Sequence, residues 1–172
     1  AGAVFPEALP IRAVSLSQPA RPGEPDPANA AAVIGAIDAA VELVDSGQAA
    51  AIVTNPIHKP TLLAAGFPHA GHTEYLGALA GEGAKPVMML ACPGLRVIPV
   101  TIHVPLAEAL TRLSTAAIVA STRIAGRALI EDFGIAQPRL VVAALNPHAG
   151  DSGELGREEI DIIAPAVEEL RA

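Results

Sequence analysis

Short apolar runs alternate with longer stretches in which apolar and polar positions recur at helical spacing. Continuous apolar runs of strand length lie at residues 49–54, 87–91 and 140–145. Runs of this kind are typical of parallel strands that are buried on both faces. Two further strands are predicted at residues 11–16 and 96–101, although Pro99 moves the second toward a sheet edge or a bulge.

Helices are predicted between these strands. Ser114 is a suitable N-cap for the longest of them, and Gly134 follows its last apolar turn. The predicted helices cover residues 28–46, about 61–65, about 73–80, 106–113, 116–133 and about 158–171. Strands that alternate with helices indicate an α/β fold, with three layers (α/β/α) and a mostly parallel sheet. We expect residues 1–172 to form a single α/β region.

Composition narrows the class of protein. Of the 172 residues, 51% are apolar and 17% are charged, which argues against disorder. The net charge of −7 and the aromatic content of 2% predict no nucleic-acid partner. No apolar run reaches the length of about 18 residues that would suggest a membrane span, and no signal peptide is evident, so we expect no membrane association. The single cysteine, Cys92, favours a reducing, cytoplasmic location and has no indicated catalytic base.

Four of the five histidines follow predicted strands. His58, His72, His103 and His148 lie at strand ends or in the loops beyond them, and His69 is interpreted as a surface loop residue. Ligand sites in open α/β sheets lie at the carboxyl ends of the strands, and imidazole is the commonest metal ligand. The alternative is that each histidine only caps its own loop. No local metal motif is present, so any metal site must be assembled by the fold.

Signals for phosphate binding are weaker. The segment GDSGELG at residues 150–156 precedes a helix and could hold an anion, but Asp151 and Glu154 favour a simple turn. Lys59 could meet a phosphate or a carboxylate, although such lysines are more often solvated. Glu74, at a predicted helix start, needs no more than a structural role.

Five segments taken together resemble one enzyme family. They are VTNPIHK (53–59), GHTE (71–74), PVMML (86–90), TIHVP (101–105) and NPHAG (146–150). In this order and spacing they are similar to 4-hydroxythreonine-4-phosphate dehydrogenases, and the final helix also resembles that family. The resemblance covers nearly the whole chain.

The resemblance implies an NAD-dependent oxidation of 4-phosphooxy-L-threonine, followed by decarboxylation to 3-amino-2-oxopropyl phosphate, on the route to pyridoxal 5′-phosphate. It implies an isopropylmalate-dehydrogenase-like fold and a homodimer with its active site at the subunit interface. A divalent metal (Zn2+, Co2+ or Mg2+) is held by three histidines, of which His103 and His148 match two. His72 and Thr73 match the substrate-binding pair. Neither a catalytic residue beyond the metal site nor the NAD-binding residues can be assigned.

Two family segments are not found in these 172 residues. They are the GDPAGIG-like start and the MYHDQ-like motif that carries the third metal histidine. We therefore expect a central fragment of a longer two-domain chain, weakly active or inactive by itself. The alternatives are a related dehydrogenase for another phosphorylated hydroxy acid or a cis-dihydrodiol, and a non-catalytic α/β module.

Overall fold

Helices dominate the regular structure of the chain. The computed structural model describes residues 7–172, which fall into two units. The first unit ends at Pro86, and the second is Val87–Ala172.

The first unit contains three α-helices, α1 (Ala30–Asp45), α2 (Lys59–Ala64) and α3 (His72–Leu79). A 3-10 turn, Pro27–Asn29, leads into α1, and the Asp26 carboxylate accepts a hydrogen bond from the Ala28 N–H at 2.8 Å. Beyond α1 the chain turns at Gly47, whose φ of 70° favours glycine. The helices predicted in this part of the chain are therefore confirmed within a few residues.

A small apolar core joins these helices. It is built from Ala30 of α1, Leu62 of α2 and the loop residue Phe67, with Ile34, Ile57 and Tyr75 packed against it. The Tyr75 hydroxyl of α3 donates a hydrogen bond to Asp38 of α1. Apolar packing and one polar contact therefore fix α3 against α1.

The second unit begins with a β-hairpin and ends with a helical pair. Its elements are β1 (Leu90–Cys92), β2 (Leu95–Val97), α4 (Leu106–Arg112), α5 (Thr115–Glu131), a 3-10 segment (Ala149–Gly153), a π-helix (Glu159–Ile163) and α6 (Ala164–Arg171). The predicted cap is confirmed, because the Ser114 hydroxyl accepts from the Ala117 N–H at 3.2 Å. The predicted helices at 106–113, 116–133 and 158–171 are present, the last with a π-helical first turn.

The core of this unit lies between α5 and α6. Ile118 and Val119 of α5 pack with Ile163 and Ala166, and Ala166 is 0% exposed. The Thr115 hydroxyl donates to the Ile162 carbonyl at 3.0 Å, which ties the start of α5 to the π-helix. Because a residue as small as alanine lies at the contact, the two helices can approach closely.

The predicted parallel sheet is not seen in the described residues. The sheet formed there has two antiparallel strands, with Leu90 opposite Val97 and a turn at Gly94 (φ 82°). The segments predicted as strands at 11–16, 49–54 and 140–145 form no ladder, and Val53 and Val141 are 97% and 91% exposed. The prediction of strands in these three segments was wrong, because a strand needs a neighbouring strand for its backbone hydrogen bonds and a helix does not.

Among residues 7–172, one helical stretch has the length and apolarity to span a membrane. Pro27–Asp45 has 19 residues and a mean hydropathy of 1.4 over its most apolar window, and α4 with α5 passes the same test only as a pair bent by 90°. Core helices of soluble proteins also pass this test. Asp38 and Glu42 interrupt the apolar run, and Asp38 bonds Tyr75 within the unit.

The packing of α5 makes a testable prediction. Ile118→Ala should lower the free energy of unfolding by about 3 kcal/mol, since it leaves a cavity where the side chain is 2% exposed. Ile130→Ala on the same helix, at a residue that is 49% exposed, should cost less than about 1 kcal/mol. Denaturant unfolding of the full-length protein measures both. Equal costs would contradict the assignment of this core.

Candidate functional site

The first turn of α3 carries the predicted substrate-binding pair. His72 and Thr73 open the helix and are half-buried, and the preceding Gly71 is buried. The position that a Cβ on Gly71 would occupy lies 3.6 Å from Lys59 Nζ and 3.5 Å from Glu74 Oε2. The N–H groups of a first helical turn have no partner within the helix and favour an anion. A cation, Lys59, and a carboxylate, Glu74, therefore lie together beside the turn that holds the pair.

Three rings behind this turn form an aromatic cluster. The Phe67 ring centroid lies 4.9 Å from that of Tyr75 and 5.2 Å from that of His69, and His69 lies 5.1 Å from Tyr75. His69 lies in a loop, as predicted, but its ring is half-buried against its neighbours and is not fully on the surface. No periodic pattern predicts this contact, since two of the three rings lie in a loop.

The Tyr75 hydroxyl is tied to Asp38. Hydrogen bonding to this carboxylate, with burial and charge repulsion as smaller causes, raises the pKa of Tyr75 to about 12. A raised tyrosine pKa means that folding favours the neutral phenol. The resulting stabilisation is present below pH 10 and is lost as the pH rises through about 12.

His58 behaves as a loop-capping histidine. It precedes α2, is exposed, and its Nδ1 lies 2.5 Å from the Thr61 hydroxyl. This local contact agrees with the interpretation that each histidine only caps its own loop. Among the described residues, no metal-binding group includes His58.

The predicted metal ligand His148 lies at the start of an unusual loop. Its N–H donates to Asn146 Oδ1 at 2.9 Å, and its Nδ1 lies 3.5 Å from Asp151 Oδ2. Both the His148 and the Asp151 side chains are more than half exposed. The imidazole is therefore accessible to a ligand, and a carboxylate lies beside it.

The backbone after His148 runs through consecutive left-handed residues. Ala149, Asp151 and Ser152 have φ values of 51°, 42° and 59°, and Gly150 between them has 72°. Each non-glycine residue in this conformation costs about 1–2 kcal/mol. Such strain persists where the surrounding structure imposes it and is enriched at functional sites.

Close packing at Gly150 leaves no room for a side chain in this turn. A Cβ there would lie 2.6 Å from the Gly156 carbonyl oxygen and 2.9 Å from Glu159 Oε2. The Gly150 carbonyl also accepts from the Leu155 N–H at 3.0 Å. The turn predicted from the GDSGELG segment is therefore present, and its backbone packs more closely than the glycine content alone indicates.

The other predicted metal ligand, His103, is itself left-handed. Its φ is 56°, it is exposed, and it lies in the loop that leads to α4. Strained backbone therefore occurs at both predicted metal ligands, in His103 itself and directly after His148.

Imidazole donors fit a divalent ion in kind. They suit Zn2+ or Co2+, whereas Mg2+ prefers oxygen ligands. Within residues 7–172, no three His, Cys, Asp or Glu side chains come together as a metal site. The residues therefore fit part of a ligand set and not a complete one.

Comparison with known proteins decides the family. The family described as pyridoxal phosphate biosynthetic protein PdxA matches residues 3–172. The chain belongs to the PdxA family. It is 51% identical over 174 residues to the 4-hydroxythreonine-4-phosphate dehydrogenase of Bradyrhizobium diazoefficiens, covering 99% of this chain and 50% of that protein. It is 52% identical over 177 residues to that of Caulobacter vibrioides, covering 100% and 53%.

Solved structures agree with this assignment. The chain superposes on a 4-hydroxythreonine-4-phosphate dehydrogenase from Klebsiella pneumoniae with a TM-score of 0.83 and 37% identity, covering 93% of this chain and 49% of that one. An enzyme of the same name from Burkholderia phymatum gives 0.75 and 37%, with 87% and 45% covered. The α/β class is therefore supported, and the chain spans about half the length of the PdxA relatives it matches.

Ionisation of Tyr75 tests the contact behind α3. At pH 11 a tyrosine of pKa about 12 is about one-tenth ionised, whereas an ordinary one is about nine-tenths ionised. The tyrosinate absorbance assigned by difference from Tyr75→Phe should therefore be small in the wild type. It should rise several-fold in Asp38→Asn. An equal signal in both proteins would contradict the hydrogen bond.

Substitution of Gly150 tests the tight turn. Gly150→Ala should destabilise the protein by about 3 kcal/mol, from left-handed strain plus overpacking. Gly134→Ala is the matched control, because Gly134 has a similar φ of 67° but no atom within 4 Å of the new Cβ. It should cost only about 1 kcal/mol. Similar unfolding midpoints for the two variants would show that the packing at Gly150 is absent.

Proposed function

We propose that this chain forms part of an NAD-dependent 4-hydroxythreonine-4-phosphate dehydrogenase. The reaction is oxidation of the secondary alcohol of 4-phosphooxy-L-threonine, with loss of a hydride and a proton. The resulting β-keto acid then loses CO2 to give 3-amino-2-oxopropyl phosphate, a precursor of pyridoxal 5′-phosphate. The observation that carries the proposal is the PdxA match across residues 3–172.

In this proposal His103 and His148 hold the divalent metal. Their chemistry favours Zn2+ or Co2+ over Mg2+ as the occupant. When bound, such an ion lowers the pKa of an alcohol and stabilises negative charge on oxygen, while NAD accepts the hydride. The exposure of His148 and the strained backbone at both histidines support this role.

His72 and Thr73 bind the substrate. Their position in the first turn of α3 suits an anionic group, and Lys59 lies at the same turn, where its charge also faces the Glu74 carboxylate. Binding a phosphate away from the reacting carbon would orient the alcohol and lower the entropic part of the barrier. The chain therefore offers two kinds of group, an anion-binding turn in the first unit and imidazoles in the second.

The proposal includes the setting of the enzyme. We infer a cytoplasmic homodimer with its active site at the subunit interface, and a small phosphorylated molecule as its substrate. The acidic net charge of −7 supports the absence of a nucleic-acid partner. We also infer that the enzyme works without membrane association.

Metal titration of the full-length protein tests the assignment of the ligands. His103→Ala and His148→Ala should each weaken Zn2+ or Co2+ binding by at least tenfold in calorimetry, because each removes a ligand. His69→Phe should bind the metal as the wild type does, since it removes an imidazole but keeps a ring against Phe67 and Tyr75.

His72→Ala should raise KM for 4-phosphooxy-L-threonine by about tenfold while metal affinity is kept.

A substrate panel with NAD separates this reaction from its relatives. We expect NADH formation with 4-phosphooxy-L-threonine and little with a cis-dihydrodiol. Preference for the dihydrodiol would overturn the substrate, and metal affinity unchanged in both histidine variants would overturn the metal site.

A further inference from the structure

Glu159, the first residue of the π-helix, contacts the His148 loop with both oxygens of its carboxylate. Oε1 accepts a hydrogen bond from the Leu145 N–H at 2.8 Å, just before the loop begins. Oε2 lies 2.9 Å from the place where a Cβ of Gly150 would stand, in the middle of the loop. One side chain therefore spans the stretch of chain that contains His148.

The second oxygen of the Glu159 carboxylate lies in an unusual environment. Glu159 Oε2 is buried and has no hydrogen-bond partner among the described residues. A buried polar atom without a partner is destabilising, so its position is not explained by stability alone. Its close approach to Gly150 excludes a side chain at the point where the backbone is left-handed.

The π-helix that carries Glu159 is held in place by packing. The π-helix packs on α5 through Ile163, which is 9% exposed, and the Thr115 hydroxyl donates to the Ile162 carbonyl. Short π-helical turns are enriched at functional sites, because they redirect a side chain from its α-helical position. The position of Glu159 is thus set by the helical core.

We propose that Glu159 is a positioning residue for the metal site. Its carboxylate fixes the end of segment 140–145 relative to the left-handed turn, and this holds the backbone that presents His148. Groups that orient a metal ligand from behind commonly change metal affinity by 10- to 100-fold. The inference rests on the proposed metal role of His148, but its structural part can be measured without any metal.

Three variants of the full-length protein test the role. Glu159→Ala removes both contacts. Glu159→Gln keeps an acceptor oxygen for the Leu145 N–H in a side chain of the same shape. Glu168→Ala removes the same charge from an exposed position on α6 and serves as the control. Hydrogen exchange of peptides that cover residues 143–155 reports the loop, and calorimetric Zn2+ or Co2+ titration reports the ligand.

In metal-free protein, Glu159→Ala should speed exchange in this segment by at least tenfold, and Glu159→Gln and Glu168→Ala should stay within threefold of the wild type. Metal affinity should fall 10- to 100-fold in Glu159→Ala only. Unchanged exchange in Glu159→Ala, or equal acceleration in Glu159→Gln, would overturn the proposal. Faster exchange with unchanged metal affinity would also overturn it, provided that His148→Ala weakens binding. If His148→Ala binds metal normally, the proposed metal role of His148 itself fails.

Discussion

The packing of α6 on α5 is the contact on which the second unit depends. Ala166 is fully buried where the two helices meet, and Ile118 fills the space beside it. Because this contact is apolar and close, it fixes the π-helix that immediately precedes α6. Glu159, at the start of that π-helix, accepts a hydrogen bond from the Leu145 N–H and lies beside the left-handed turn. The loop that carries His148 is thus held by a helical core, although it has no regular structure of its own beyond a short 3-10 segment.

The first unit uses a different combination of forces for the same purpose. There α3 is held on α1 by a Tyr75–Asp38 hydrogen bond and by the aromatic cluster around Phe67. The pair His72 and Thr73 lies at the start of α3, so whatever fixes this helix also fixes the pair. In both units the candidate site residues are in loops or first turns, and most of the groups that position them are in helices, the loop residue Phe67 being an exception. This division is common in enzymes, where rigid elements carry functional loops.

The helices were predictable from the sequence and most of the strands were not. A helix forms its hydrogen bonds within one segment, so periodicity, the Ser114 cap and glycines at helix ends locate it. An apolar run such as residues 140–145 indicates a buried strand, but its pairing depends on other segments. Val141 is 91% exposed, so the apolar surface that suggested a strand is uncovered here. The chain spans about half the length of its relatives. Which segments pair as strands depends on residues that are far apart in the sequence, so no local pattern encodes the pairing.

The candidate site divides in the same way. Local motifs were sufficient to propose His72, Thr73, His103 and His148, because each lies in a short segment with a recognisable resemblance. Glu159 could not be found like this, since its role comes from reaching back across a turn to a backbone N–H and a glycine. A glutamate at the start of an acidic helix is ordinarily explained by the helix dipole. Its hydrogen bond to the Leu145 N–H and its buried second oxygen distinguish it from Glu158, whose carboxylate also lies near a glycine, Gly156. Sequence resemblance can therefore identify the groups that touch a ligand, whereas those that hold them in place become visible once tertiary distances are known.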